Sequence, residues 1–141
     1  MAKKILQPKS WAKPGSPYSP GTQLGNLAFV AGQVSQDKDG RIVAQGDVRQ
    51  QTRVAIGRIR EVLAEAGMTL DDVMATTVYL KHLTDFEAMN EVYRELFKGD
   101  FPARATVQAN LADEALLVEI TAIAARGEEE RHNGNDDFSQ G

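Results

Sequence analysis

Apolar residues recur along this chain with two different periods, and the switches between them divide it into elements. Leu27-Ala28-Phe29-Val30-Ala31 is a continuous apolar run closed by Gly32, which predicts a buried strand. Ala55, Ile59, Val62, Leu63 and Ala66 then fall at helical spacing and predict a helix over Val48–Ala66. Asp47 is suited to its N-cap, with Gln50 at the capping-box position, and Gly67 stands just past its end. Over Val73–Lys81 the period shortens to two. Met74, Thr76, Val78 and Leu80 alternate with Ala75, Thr77 and Tyr79, a strand rich in β-branched residues. A second helix is predicted from Thr84, with Glu87 completing a capping box, Phe86, Met89, Tyr93, Leu96 and Phe97 as its buried stripe, and Gly99 as its stop. Arg104–Asn110 and Leu116–Ala125 read as two partnered strands joined by a short polar loop.

The intervening segments are punctuated by turn chemistry. Pro8, Pro14, Pro17 and Pro20 make the N-terminal stretch an irregular arm with one short strand at Lys4–Gln7. Leu24-Gly25-Asn26 and Asp37-Lys38-Asp39-Gly40 are turn signals, the second leading into a returning strand at Arg41–Val43. The order is β-β-α-β-α-β-β, an α+β domain with its helices on one face of a mixed sheet. The other face is left to be buried, and subunit association is one way to bury it. The domain is expected over residues 1–126. Residues 127–141, charged and rich in Gly and Asn, are expected to be a disordered tail with no assigned role.

Composition removes several function classes. A length of 141 residues suits one domain able to bury its own core. Sixteen Lys and Arg against twenty Asp and Glu give a net charge of −4, which speaks against nucleic acid as a partner. No apolar stretch is long enough to span a membrane, and no apolar run follows Lys3 and Lys4 as a secretory signal requires, so a cytoplasmic location is expected. With no cysteine, disulfides, thiolate nucleophiles and thiolate-bound zinc are excluded. His82 and His132 are too few for a histidine-rich metal site. Phosphate-loop, nucleophile-elbow and zincin motifs are all missing.

Chemistry is confined to a few positions. Pro102 can begin a strand, and Arg104 follows between Ala103 and Ala105, unshielded by bulky neighbours. Its planar fork suits a carboxylate, although an arginine paired to a protein carboxylate fits the same pattern. Arg104, Thr106, Gln108 and Asn110 share one strand face. Glu119 lies in an apolar strand and must be paired, exposed or functional. Tyr18, in a proline-flanked loop, offers a pocket wall with a hydrogen-bonding tip or simple packing over the sheet. Gly32 permits a ligand to approach the backbone or marks a bend, and Asn90 is a helical neighbour of the core residue Tyr93.

In sequence order, the chain carries Pro17-Tyr18-Ser19-Pro20-Gly21, Gly25-Asn26-Leu27 running into Ala31-Gly32-Gln33, Gly46-Asp47, Gln51-Thr52-Arg53 and Thr76-Thr77-Val78-Tyr79-Leu80. Asp85-Phe86, Asn90-Glu91-Val92-Tyr93, Pro102-Ala103-Arg104, Val118-Glu119-Ile120 and Ala122-Ile123-Ala124 complete the set. Together they resemble the reactive intermediate deaminase (Rid, YjgF-like) family from about residue 14 to 126. The resemblance implies a chorismate-mutase-like subunit in a homotrimer whose sheets form a central barrel, with clefts between subunits and no metal or organic cofactor. It implies hydrolysis of 2-aminoacrylate-type enamines, or their imine tautomers such as 2-iminopropanoate, to 2-oxo acids and ammonia. It also assigns the carboxylate-binding arginine to Arg104, the pocket tyrosine to Tyr18, the strand-end glycine to Gly32 and the helix asparagine to Asn90.

Two positions depart from the best-studied subgroup of that family. Thr106 stands where a cysteine is common, and Thr121 stands at the position matched to a second acid proposed to handle the attacking water. Glu119 shares a strand face with Thr121, about 6–7 Å away, and is the available substitute for that acid. These changes keep two other readings open. One is a pathway-specific deaminase of a larger unsaturated amino acid, of aminomuconate or aminoacrylate-derivative type. The other is a non-catalytic carboxylate-metabolite-binding or holdase-like protein. Ribonuclease activity, attached to some relatives, is disfavoured by the acidic balance and the lack of a basic aromatic groove.

Overall fold

The computed structural model describes residues 2–127, so the expected tail lies outside the described residues apart from Gly127. The fold is α+β, with two helices packed on a mixed sheet. Strands β1 (Lys4–Leu6), β2 (Gly21–Leu24) and β3 (Leu27–Gln33) precede helix α1 (Val48–Ala64). Then follow β4 (Val73–Leu80), α2 (Phe86–Phe97), β5 (Ala103–Gln108) and β6 (Val118–Ala125). The sheet order is β1-β2-β3-β6-β4-β5, antiparallel throughout except for the parallel pair β4 and β5, which α2 connects.

Three details of the strands differ from the sequence reading. Gly21–Leu24 is a strand that the surrounding prolines and glycines obscured, paired to β3 across the turn at Gly25 (φ 58°) and Asn26. Arg41–Val43 forms no strand, only an isolated bridge between Gln36 and Ile42. The strands carrying Arg104 and Glu119 are not partners. β4 lies between them, because a parallel β4-α2-β5 unit leaves the antiparallel edge of β4 to the last strand.

The helix ends show which local signals held. Asp47 accepts the Gln50 N–H at 3.1 Å. At the far end of α1, Met68 N–H reaches Leu63 O and Gly67 N–H reaches Ala64 O, both at 3.0 Å, with Gly67 at φ +71°. This is the Schellman closure that its glycine predicts. The capping box expected at Thr84 does not form, because Leu83–Asp85 is a short 3-10 turn and α2 starts at Phe86. Nor is Gly99 the stop of α2. Lys98 takes the left-handed conformation (φ 55°) one residue earlier.

Side chains of α1 and α2 meet the sheet in one core that includes Ile56, Ile59, Leu63, Met89, Val78, Leu80 and Ile120, all fully buried. On β4 the residues Thr76, Val78 and Leu80 face the helices, and their neighbours Arg104, Thr106 and Gln108 on β5 face the same way. Among the described residues nothing covers the opposite sheet face. Ile5, Leu24, Leu27, Phe29, Val107 and Ile123 are each about two-fifths to one-half exposed, and Phe29 pairs directly with Ile123. Among the described residues no helix is long and apolar enough to cross a membrane.

Candidate active site

The parity of β5 and β6 divides the candidate residues into two groups. Glu119 pairs with Tyr79 and Thr121 pairs with Thr77, both on the uncovered face of the sheet. Arg104 pairs with Thr76 on the face under the helices. Arg104 and Glu119 therefore cannot meet within one subunit.

The first group gathers at a cavity of about 700 Å³ between the N-terminal arm, β3 and the start of β6. Tyr18, Gly32 and Glu119 line it together. Gly32 falls in the irregular pairing between Val30 and Gln33, and its missing side chain leaves the space that the Glu119 carboxyl occupies. A Cβ at residue 32 would collide with that carboxyl. Burial pushes the Glu119 carboxyl above the ordinary value, and no cation pairs with it among the described residues. Tyr18 is 56% exposed, and its hydroxyl makes no hydrogen bond to a described residue. Thr121 stands apart from the lining of this cavity; of the two polar residues on that strand face, Glu119 is the one that reaches it.

The second group lies at a smaller recess of about 240 Å³, lined by Asn90, Tyr93, Arg94, Phe101, Pro102 and Arg104. The Arg104 guanidinium sits 4.8 Å from the Tyr93 ring centroid and 5.7 Å from that of Phe86. Its one protein hydrogen bond runs from Nη1 to Met89 Sδ at 3.9 Å. Among the described residues it has no carboxylate partner. Tyr93 is core, its hydroxyl 2.7 Å from Thr76 Oγ1, and burial raises it against the opposing effects of that hydrogen bond and of Arg104. Beside Arg104 on the same strand face, Thr106 Oγ1 is buried with no hydrogen-bond partner among the described residues. Asn90 is held on a helix tied to α1 by the exposed pairs Arg49–Glu91 and Arg53–Glu95, both 3.0 Å.

Two residues at the larger cavity escaped the sequence reading. Arg58 stacks 3.8 Å over the Trp11 ring and donates from Nε to Gln33 Oε1 at 3.0 Å. The signal for it was present: Arg58 occupies the same helical stripe as Ala55 and Val62, where a charged residue needs a reason. Trp11, in the supposedly irregular arm, is buried, and its indole donates to Glu61 at 3.0 Å.

The chain is similar in sequence and fold to known proteins. The endoribonuclease L-PSP family model matches residues 9–126. A RutC family protein of Pyrococcus abyssi is 43% identical over 124 residues, which cover 88% of this chain and 98% of that one. YyfA of Yersinia pestis, a protein of the conserved Rid family, is 32% identical with a TM-score of 0.81, covering 89% of this chain and 100% of its own. The chain belongs to the Rid family. E. coli TdcF, solved with bound serine, is 31% identical with a TM-score of 0.80, covering 88% of this chain and 99% of its own. As a Rid protein the chain has a deaminase-type or small-molecule-binding role at the coarse level, and its family motifs gain structural meaning. Gln51, from the Gln51-Thr52-Arg53 motif, is fully buried and stitches α1 to the segment before β6, donating to Ala115 O at 2.9 Å and accepting from Leu117 N–H at 2.8 Å.

Proposed function

We propose that this Rid protein is a hydrolytic deaminase of enamine and imine intermediates of small carboxylates, acting in clefts between the subunits of a homotrimer. The observation that carries the reading is Arg104, a guanidinium resting on aromatic faces at a recess where no described carboxylate pairs with it. Two parallel hydrogen bonds to a substrate carboxylate would satisfy it. The serine bound by TdcF, a small amino carboxylate, is consistent with such a site.

The chemistry follows from the two residue groups. The enamine takes a proton on its terminal carbon and becomes the iminium. Water adds to the iminium carbon while a proton leaves for a base, giving a carbinolamine. Proton return to nitrogen and collapse of the C–N bond release ammonia and the 2-oxo acid. Arg104, with Asn90 and Thr106 beside it, holds and orients the carboxylate. Glu119, whose carboxyl is pushed up towards neutrality, takes and returns the proton, and Tyr18 closes the pocket near it. Thr121 is assigned no proton transfer, since a hydroxyl is no base near neutral pH and it lies outside the cavity lining. Because iminium ions hydrolyse unaided, orientation in a sheltered cleft supplies much of the acceleration.

Trimer assembly is supported by the uncovered sheet face. Phe29 and Ile123 pair on it, and Ile5, Leu24, Leu27 and Val107 are exposed on the same face, apolar surface that association would bury. In this reading each cleft takes Arg104 from one subunit and Glu119 from another, since the two lie on opposite faces of one subunit's sheet. The test is ammonia release from 2-aminoacrylate and 2-iminobutanoate generated in situ by a dehydratase. Wild type should accelerate both, and Arg104→Ala should lose about 100-fold or more while keeping its oligomeric state. Full activity in Arg104→Ala would discard the site.

A further inference from the structure

Tyr18, Gly32 and Glu119 share their cavity with a cation to which the reaction above gives no role. Arg58 lines the same cavity from α1. Every hydrogen bond it makes goes to a neutral acceptor: Nε to Gln33 Oε1 at 3.0 Å, and Nη1 to the Gln36 and Asp37 carbonyls at 3.2 and 3.0 Å. Nη2 has no partner among the described residues. Trp11 supports the guanidinium from below at 3.8 Å, and the nearest carboxylate on its own helix, Glu61, is bonded to the Trp11 indole instead. Arg58 is half-buried, and that burial opposes its charge. The result is a guanidinium fixed in position, uncompensated by any bonded anion, with donor capacity to spare.

Of the other charges lining the cavity, Lys13 is an exposed side chain of the N-terminal arm, and Lys38 and Asp113 have partners. Lys38 lies 3.7 Å from Asp39, and Asp113 Oδ1 accepts the Ala115 N–H at 2.9 Å. A fixed cation in the cavity that holds the Glu119 carboxyl, besides Arg104, fits a substrate with a second anionic end.

We propose that Arg58 is a specificity-determining residue that binds a second carboxylate, so that the preferred substrates are imines of dicarboxylic amino acids. This inference rests on the deaminase reading of the same site. Arg104 holds the carboxylate next to the imine carbon, and Arg58 holds the distal one. Hydrolysis is unchanged in its balance: the dicarboxylate iminium and water give the 2-oxo dicarboxylate and ammonium.

The experiment compares kcat/KM for 2-iminoglutarate and 2-iminosuccinate with that for 2-iminobutanoate, each generated in situ by an amino-acid oxidase, in wild type, Arg58→Met and Arg58→Lys. Methionine keeps length and packing on Trp11 without the charge. The dicarboxylate-to-monocarboxylate ratio should be well above one in wild type and fall roughly 10- to 100-fold in Arg58→Met, the worth of a charged hydrogen-bonded contact. Arg58→Lys should retain part of the preference. A merely structural Arg58 would lower both substrates together and leave the ratio unchanged, which overturns the proposal. Calorimetric titration with 2-oxoglutarate and pyruvate separates the two levels of the argument. Wild type that turns over 2-iminobutanoate but binds both oxo acids equally sinks the Arg58 inference alone. Wild type that turns over no imine sinks the deaminase reading, while selective 2-oxoglutarate binding lost in Arg58→Met would still uphold the subsite.

Discussion

Arg104 and Glu119 stand on opposite faces of one sheet, with β4 between their strands. The carboxylate clamp and proton carrier proposed for these two residues would then come from two subunits. The consequence is a complementation test. Arg104→Ala and Glu119→Gln proteins should each be nearly inactive, yet trimers refolded from an equal mixture should recover about one quarter of wild-type activity, the share of interfaces in a closed ring that pair two intact residues. Mixing the two proteins without unfolding should recover nothing. Failure to recover activity after verified subunit exchange would place both residues in the same subunit's site or remove one of them from the chemistry.

Gly32 is required for space rather than for backbone freedom, since its φ is not positive and the conflict arises from the Glu119 carboxyl. Gly32→Ala should fold, because a flexible carboxyl end can swing aside. Swinging aside takes it out of position, so kcat should fall about 10- to 100-fold with a much smaller change in thermal stability. A crystal structure of the variant should find Glu119 in a new rotamer. Unaltered kcat would show that the position of Glu119 is immaterial to the reaction.

Much of this was legible in the sequence, and the exceptions have physical reasons. Alternation in β4, the stripe on α1 and the Gly67 closure are local signals, and each reappears in the structure. β2 was hidden because its four residues carry a glycine and two polar side chains, and only pairing to β3 makes them a strand. Strand order was equally out of reach, since placing β6 between β3 and β4 is a choice made by tertiary packing. At the site, Tyr18 with Gly32 and Arg104 with Asn90 were found by motif. What motif could not give is that the two pairs lie in separate cavities. Arg58 and Trp11 were missed because a cation stacked on a distant indole leaves no mark in either segment alone.

Burial raises the Glu119 carboxyl, so the folded protein binds this proton more tightly than the unfolded chain does. The stability linked to that proton is present below the ordinary carboxyl value of 4.5 and is lost as pH rises through the higher folded value. Glu119→Gln, which cannot ionise, should therefore be the more stable protein at neutral pH and show no advantage below about pH 4. Glu119 is only half-buried, so solvent screening keeps the difference to about 1–3 °C in Tm. Melting curves from pH 4 to 8 check this; an advantage for Gln at the acid end reverses the sign and the argument with it.

The costliest single change predicted here lies away from both cavities. Gln51 is fully buried, donates to Ala44 O at 3.3 Å and to Ala115 O at 2.9 Å, and accepts the Leu117 N–H at 2.8 Å. Ala115 and Leu117 lead into β6, so this one amide sets where the strand bearing Glu119 begins. Truncation in Gln51→Ala would leave a buried N–H and a buried carbonyl without partners and open a void, a loss of about 2–4 kcal/mol. Gln51→Leu refills the volume but not the hydrogen bonds and should recover only the packing part. If the hydrogen bonds dominate, both variants unfold at clearly lower urea concentration than wild type, with faster amide exchange at Leu117. Wild-type stability in Gln51→Leu would mean that the glutamine contributes volume alone and that the start of β6 is fixed by its pairing to β3 and β4.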